Sequence, residues 1–196
     1  MANIVAVLYV AFLIAGSAIG EVIAITYTGS TTSQTNAEAT GYIYGGCYIR
    51  PNPSGINVAL RKNIEGIIEI KQKSTGGEVE ITLDLSGFNT NSHHGFHIHT
   101  YGYNDRGKGC SAAGGHYNPF SNVHGSPSDN ERHVGDLGNI VSDENGNVKT
   151  VIRDSVVSLI EENSVIGRSF VVHAGTDDLG RGGQKLVVPL VTQVLV

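Results

Sequence analysis

Residues 79–85 read Val-Glu-Ile-Thr-Leu-Asp-Leu, a strict alternation of apolar and polar side chains. A period of two is typical of a β-strand with one face in a core and the other in water. Residues 66–72, Gly-Ile-Ile-Glu-Ile-Lys-Gln, alternate in a similar way, and residues 74–77, Ser-Thr-Gly-Gly, lie between the two stretches. Since these four are turn residues, the whole segment predicts a β-hairpin.

More short strands are predicted further along the chain. Residues 137–141 and 148–152 flank the turn-like residues 143–147 and predict a second hairpin, while residues 169–173 predict another strand. Glycine accounts for 26 of the 196 residues, and helix-forming residues are not concentrated anywhere. Short strands joined by glycine-rich turns predict an all-β fold, a Greek-key β-barrel or immunoglobulin-like sandwich with long loops.

The N-terminal residues have a different character from the rest. Residues 4–14 form an apolar run, and residues 15–20 are small apart from Ile19. This pattern predicts a signal peptide over residues 1–20 and a secreted, extracellular protein; a buried strand and a membrane anchor are the alternatives. The run is shorter than the roughly 20 apolar residues of a bilayer span, so we expect no membrane association after signal removal. Residues 21–55 are then a polar extension, and residues 56–196 form the domain.

The charge of the chain limits its partners. The formal net charge is -5, and no stretch of the sequence makes a basic stripe. These features argue against nucleic acid as a partner.

All eight histidines lie between His93 and His173. Imidazole nitrogens and carboxylates are good ligands for zinc and copper(II). His97 and His99 are separated by one residue, so on a strand they project from the same face, about 6–7 Å apart. Two rings so placed can close on one metal ion.

A long loop, residues 101–135, follows this pair and is too glycine-rich and polar to make its own core. A loop of that length needs side chains that hold it in place. Three imidazoles and a carboxylate are a plausible closed tetrahedral zinc set, and they are supplied by His116, His124, His133 and Asp136. Cys110 is a second candidate for holding the loop in place.

From about Asn57 to Gly183 the chain resembles the copper/zinc superoxide dismutases. The matching segments are residues 95–99 (Gly-Phe-His-Ile-His), 110–119, 124–125, 131–139, 166–168, 171–173 and 177–180. The resemblance implies disproportionation of superoxide to oxygen and hydrogen peroxide. It implies a copper site formed by His97, His99, His116 and His173, and a zinc site formed by His116, His124, His133 and Asp136.

The resemblance also implies roles for the residues around the metals. His116 would bridge copper and zinc as an imidazolate. Asp177 would hydrogen-bond one copper histidine and one zinc histidine, and such partners fix ring orientation and tautomer. His94 matches a structural position, and His93 has no role in the family.

After Gly183 the chain departs from the family. The family has an arginine beside copper, a cysteine that pairs with the equivalent of Cys110, and a closing strand, whereas residues 184–196 contain neither arginine nor cysteine. We therefore expect weakened catalysis with metal binding partly retained, and a doubtful homodimer, because the family's dimer contacts draw on that strand. Residues 191–196 are candidates to replace it, and Cys47 is the candidate partner of Cys110.

A shift of reading frame would explain this tail. Codons can be chosen for residues 184–196 that encode, two bases along, Lys-Thr-Ser-Ser-Thr-Thr-Gly-Asn-Ala-Gly-Ala-Arg, which is the family's pattern. Our hypothesis is that the tail is a frameshifted or mis-joined version of an ordinary family sequence. Sequencing the transcript across Gly183 tests it.

The sequence leaves three classes of function open. The first is an extracellular superoxide dismutase. The second is a copper- and zinc-binding relative with weak or no dismutase activity, which the missing arginine supports. The third, a zinc hydrolase, fits least, because four protein ligands would close the zinc site.

Overall fold

The structure, a computed structural model, describes residues 41–49, 64–102, 109–182 and 189–194. The predicted signal peptide and most of the predicted extension lie outside these residues. The strands of the described part are β1 (Tyr42–Ile49), β2 (Glu65–Lys73), β3 (Val79–Ser86), β4 (His93–His99), β5 (Asp136–Val141), β6 (Val148–Asp154), β7 (Ser169–His173) and β8 (Pro189–Val194). They form two four-stranded antiparallel sheets, ordered β1-β2-β3-β6 and β5-β4-β7-β8. This confirms the predicted all-β class.

The first predicted hairpin is confirmed. Strands β2 and β3 pair from Glu65 opposite Ser86 to Gln72 opposite Val79. In β3 the alternating apolar side chains face inward and are buried. In β2 Ile68 and Ile70 are buried in the same way, but the polar Gln72 is also buried and Ile67 is exposed. The period of two therefore predicted the buried face fully for β3 and in part for β2.

The predicted second hairpin is wrong, although both of its strands exist. Strand β5 pairs with β4 and strand β6 pairs with β3, so they belong to opposite sheets. The connecting turn satisfies its own backbone, because Asp143 Oδ1 accepts hydrogen bonds from Asn145 N and Asn147 N at 2.8 Å. Gly146 O accepts a bond from Phe88 N at 3.1 Å, outside both strands. The turn thus carries the chain from one sheet to the other.

The described residues form an apolar core between the sheets. Phe96 of β4 and Phe170 of β7 stack with their ring centroids 5.3 Å apart. Other core side chains with no more than 1 % exposure are Ile49, Ile64, Ile68, Ile70, Val79, Ile81, Leu83, Leu85, Ile98, Val148, Val157, Val165 and Val172. Strands β4 and β7, which carry metal-ligand candidates, are thus backed by rigid packing.

Both ends of the described domain are strands at sheet edges. Strand β1 lies within the segment that the sequence assigned to the extension; Cys47 and Ile49 point into the core, while Tyr42, Tyr44 and Tyr48 are exposed. Strand β8 pairs antiparallel with β7, so part of the divergent tail covers that edge. No helix in the described part of the chain is long and apolar enough to cross a membrane.

The two cysteines are buried and free, so the structure has no Cys47–Cys110 bridge. Cys110 lies in a short 3-10 helix, Gly109–Ala113, at the start of the long loop. Burial raises the pKa of each thiol to about 12. Both side chains are therefore protonated and poorly reactive at neutral pH.

Candidate metal centre

Strand β4 brings the first two histidines together. His97 and His99 are buried, and their ring centroids lie 6.4 Å apart. The register between β4 and β5 shifts between Gly95 and His97, which is an irregularity of the kind that re-aims side chains. Gly95 leaves room for this, because a Cβ atom there would lie 3.2 Å from His97 Cε1.

Two other segments bring histidines to the same place. His173 ends strand β7, which pairs with β4. His116 forms an isolated β-bridge with His99, supported by a 2.8 Å bond from Tyr117 N to Ile98 O. The long loop therefore returns beside the end of β4.

These histidines form the first donor set, His97, His99, His116 and His173, whose ligand atoms all lie within 4.8 Å of one another. Burial lowers the pKa of His97 to about 4 and that of His99 to about 3. Both rings are therefore neutral at pH 7 and keep a lone pair on one nitrogen.

Hydrogen bonds identify the nitrogen that carries each lone pair. His99 Nδ1 donates to Gly114 O at 2.7 Å, so its Nε2, which lies 3.3 Å from His173 Nε2, carries the lone pair. His97 Nε2 donates to Asp177 Oδ2 at 3.0 Å, which leaves Nδ1 as the acceptor. His97 Nδ1 is buried and has no hydrogen-bond partner among the described residues. A buried nitrogen without a donor facing it fits a metal ion.

The second donor set is His116, His124, His133 and Asp136, and its ligand atoms also lie within 4.8 Å of one another. Asp136 Oδ1 lies 2.7 Å from His116 Nδ1 and 3.1 Å from His133 Nδ1. His124 Nδ1 lies 3.0 Å from Asp136 Oδ2 without the geometry of a hydrogen bond. Two electron-rich atoms that face each other so closely suit a cation between them.

Asp136 is suited to bind a cation because it is fully buried yet ionised. Burial alone would raise its pKa, but hydrogen bonds from His116 and from Gly125 N outweigh burial and hold the pKa well below its usual range. His133 N also donates to Oδ2, at 3.0 Å. The carboxylate is thus fixed before any metal arrives.

Asp177 connects the two sets. Its Oδ2 accepts from His97 of the first set, and its Oδ1 accepts from His124 Nε2 of the second at 2.8 Å. Burial raises the pKa of the Asp177 carboxyl, but the hydrogen bonds from the two rings lower it by more. The pKa therefore lies below its usual range. In His124, conversely, burial lowers the pKa, but the bond to Asp177 and the charge of Asp136 raise it by a larger amount. The pKa of His124 therefore lies above its usual value.

Asn139 holds this connection in place and was missed as a functional residue by the sequence analysis. Its Oδ1 accepts from Asp177 N at 2.7 Å, and its Nδ2 donates to Asp177 O at 2.9 Å. Its only sequence signal was its place at the end of the Gly-Asp-Leu-Gly-Asn motif that begins beside Asp136.

Two histidines lie outside both sets. His93 is exposed at the start of β4. His94 is buried beside Phe88, with ring centroids 5.0 Å apart, and its Nδ1 donates to His173 O at 2.8 Å. Its other ring nitrogen lies 2.9 Å from Ser92 Oγ. His94 thus supports the backbone of a first-set histidine.

Residues 64–191 match the family model of copper/zinc superoxide dismutase (SODC). The chain belongs to this family. It is 51 % identical over 122 residues to a Cu-Zn superoxide dismutase of Candida glabrata, an alignment that covers 62 % of this chain and 78 % of that protein. It is also 50 % identical over 123 residues to a Cu-Zn superoxide dismutase of Neurospora crassa, covering 63 % and 79 % of the two chains. The family membership agrees with the two donor sets.

Proposed function

We propose that this protein is a superoxide dismutase with copper and zinc as its cofactors. Copper would be held by His97, His99, His116 and His173, and zinc by His116, His124, His133 and Asp136. The observation that carries the proposal is that His116 belongs to both donor sets. Membership of the copper/zinc superoxide dismutase family supports the same activity.

The residues fit the two metals by their chemistry. The first set offers imidazole nitrogens alone, which suit copper. The second set offers imidazoles with one buried carboxylate, and four protein donors of this kind suit a closed zinc site. A closed site leaves no open position for an activated water, which argues against a zinc hydrolase.

In the reaction, two superoxide anions and two protons give one oxygen molecule and one hydrogen peroxide molecule. Bound copper supplies the one-electron redox chemistry of this exchange, while bound zinc supplies a fixed charge. The protein must supply a proton close to the reduced substrate. We assign the transfer of this proton to His116 Nε2, which would be able to carry a proton when it is not bound to copper, while Asp136 Oδ1, 2.7 Å from Nδ1, orients the ring.

The remaining residues keep the rings in position. Asp177 fixes His97 and His124 with one carboxylate, and Gly114 O fixes the tautomer of His99. His116 stacks on His97 with ring centroids 3.9 Å apart, so neither ring can rotate freely. Ligands held in this way bind metal without a free-energy cost for reorienting their side chains.

A weakly active or inactive metal-binding relative is the second candidate. The observation that favours it is the lack of arginine in residues 184–196, since superoxide is an anion and a positive side chain near copper would attract it. This candidate shares both donor sets and differs only in its rate.

Superoxide decay after reconstitution with copper and zinc tests the proposal. We expect the wild-type protein and His93→Ala, which alters an exposed histidine outside both sets, to accelerate decay equally. His116→Ala should lose most of the acceleration. Full metal content without acceleration in the wild type would support the second candidate.

We also propose that the protein is secreted, on the basis of the apolar residues 4–14 and the small residues that follow. Expression of the full chain in a secretory host and N-terminal sequencing of the medium protein test this. Cleavage near residue 20 is expected, whereas protein retained in the cells with its original N-terminus would contradict the proposal.

A further inference from the structure

Arg168 is a half-buried arginine directly before strand β7, and the proposed function does not use it. Its Nη1 donates to Thr100 O at 2.7 Å, and its Nε donates to Ser164 O at 3.2 Å. Its guanidinium carbon lies 3.5 Å from the centroid of the Tyr117 ring. No carboxylate of the described residues forms an ion pair with it, so its contacts are to carbonyl groups and an aromatic face.

Two of these three contacts, those to Thr100 and Tyr117, lie next to a histidine of the first donor set. Thr100 follows His99, and Tyr117 follows His116. Arg168 itself precedes the strand that ends at His173. Arg168 therefore contacts the segments that supply His99 and His116 and itself belongs to the segment that leads to His173.

The contacted segments are also bonded to one another. Thr100 N donates to Gly115 O at 2.9 Å, and Tyr101 N donates to Ala113 O at 2.9 Å. Ser169 Oγ, beside Arg168, donates to Tyr101 O at 2.5 Å. Since Cys110 is a free thiol, these polar contacts anchor the start of the long loop without a covalent link.

We propose that Arg168 is a positioning residue for the copper histidines, holding the segments of His99, His116 and His173 in register. This inference rests on the proposed function, because it concerns the copper site. A guanidinium can stack on a ring while it donates in fixed directions to two carbonyls. A lysine keeps the charge but loses that fork.

The zinc set depends much less on Arg168. Only His116 is common to both sets, whereas His124 and His133 are held by Asp177 and Asp136. Loss of the Arg168 contacts should therefore weaken copper binding selectively. If Arg168 had a purely structural role, its loss would lower the affinities for copper and zinc together.

The test compares Arg168→Lys and Arg168→Met with Arg153→Lys, an exposed arginine that pairs with Glu80 at 2.7 Å on the outer face of the other sheet. Copper and zinc affinities are measured separately by chelator competition, and the copper site is followed by its visible and electron paramagnetic resonance spectra. We expect both Arg168 variants to lose about tenfold in copper affinity, the lower end of the range for residues that hold metal ligands. Their copper spectra should change, while zinc affinity and the Arg153→Lys variant stay near wild type.

A second variant separates positioning from folding. Tyr117→Leu removes the ring on which Arg168 stacks, so it should lower copper affinity as Arg168→Met does. Because both substitutions remove the same contact, the double variant should bind copper only slightly more weakly than either single variant. Equal losses of copper and zinc in Arg168→Lys, or an unchanged copper spectrum and affinity in Arg168→Met, would overturn the inference alone. Wild-type protein that holds no copper would overturn the proposed function as well.

Discussion

Asp177 and His124 are joined by a 2.8 Å hydrogen bond from His124 Nε2 to Asp177 Oδ1, and the other oxygen of the same carboxylate lies 3.0 Å from His97 Nε2. One side chain thus fixes a histidine of each donor set. Because both rings donate to it, their other nitrogens must be the acceptors that face the metal positions. The two sets are coupled through Asp177 as well as through His116.

Replacing this carboxylate should release metal. In Asp177→Asn the amide can accept from only one of the two rings, so the other ring loses its fixed tautomer. We expect zinc affinity, measured by chelator competition, to fall about 10- to 100-fold. Asp178→Asn is the matched control, since within the described part of the chain the Asp178 side chain accepts only a local bond, from Gly180 N at 2.9 Å. Equal affinities for Asp177→Asn and the control would contradict the account.

Asp154 should be important for stability rather than chemistry. It forms a buried ion pair with Arg132 at 2.5 Å, and Arg132 also donates to Asp136 O at 2.9 Å. Asp154→Asn leaves the arginine charge buried without compensation, so we expect a loss of about 3–5 kcal/mol in the free energy of unfolding by urea. Asp84→Asn, which breaks an exposed pair with Lys149, should cost less than about 1 kcal/mol. Similar losses in both variants would show that the buried ion pair contributes no more to the free energy of unfolding than the exposed one.

The free thiols should be protected in the folded protein. Because burial raises the pKa of Cys47 and Cys110 to about 12, little thiolate is present at pH 8. We expect iodoacetamide to modify neither residue in native protein and both after unfolding without reductant, as read by mass spectrometry. A mass two hydrogens lighter before reduction would reveal a disulfide and refute the prediction.

The metal-free protein should lose stability between pH 7 and pH 5. The folded-state pKa values of His97, about 4, and His99, about 3, lie below the ordinary value of 6.5. The unfolded chain therefore takes up protons at these two residues in this range while the folded chain does not. The raised pKa of His124 acts in the opposite direction, but for one residue only.

The net change expected from these histidines is a loss of about 3 kcal/mol in the free energy of unfolding. Urea titrations of chelator-treated protein at both pH values measure it. Stability that stays constant or rises towards pH 5 would show that His97 and His99 are already protonated in the folded state.

The sequence predicted the strands with a regular period well. Residues 66–72 and 79–85 alternate because each has one face in the core, and the structure has them as β2 and β3. The pairing of residues 137–141 with 148–152 was predicted wrongly, because a turn pattern does not reveal that the strands on either side join different sheets. Strand β1 was missed because its outward positions are tyrosines and a glycine rather than charged residues.

The donor sets were predicted by composition and resemblance, and the structure brings the same histidines together. Asn139 and Arg168 were not predicted as functional residues, since they act on backbone groups of residues distant in the chain. Such contacts leave no local pattern. The role of Asp177 was available only from the resemblance, for the same reason.

We propose above all that one imidazole ring, that of His116, joins two metal positions. The most direct measurement is the electron paramagnetic resonance spectrum of protein with copper(II) in both donor sets, at pH 7. Two copper ions joined by one ring are exchange-coupled, so the account predicts that the signal of isolated copper is largely lost and returns in His116→Ala. Two full, independent copper signals in the wild type would contradict it.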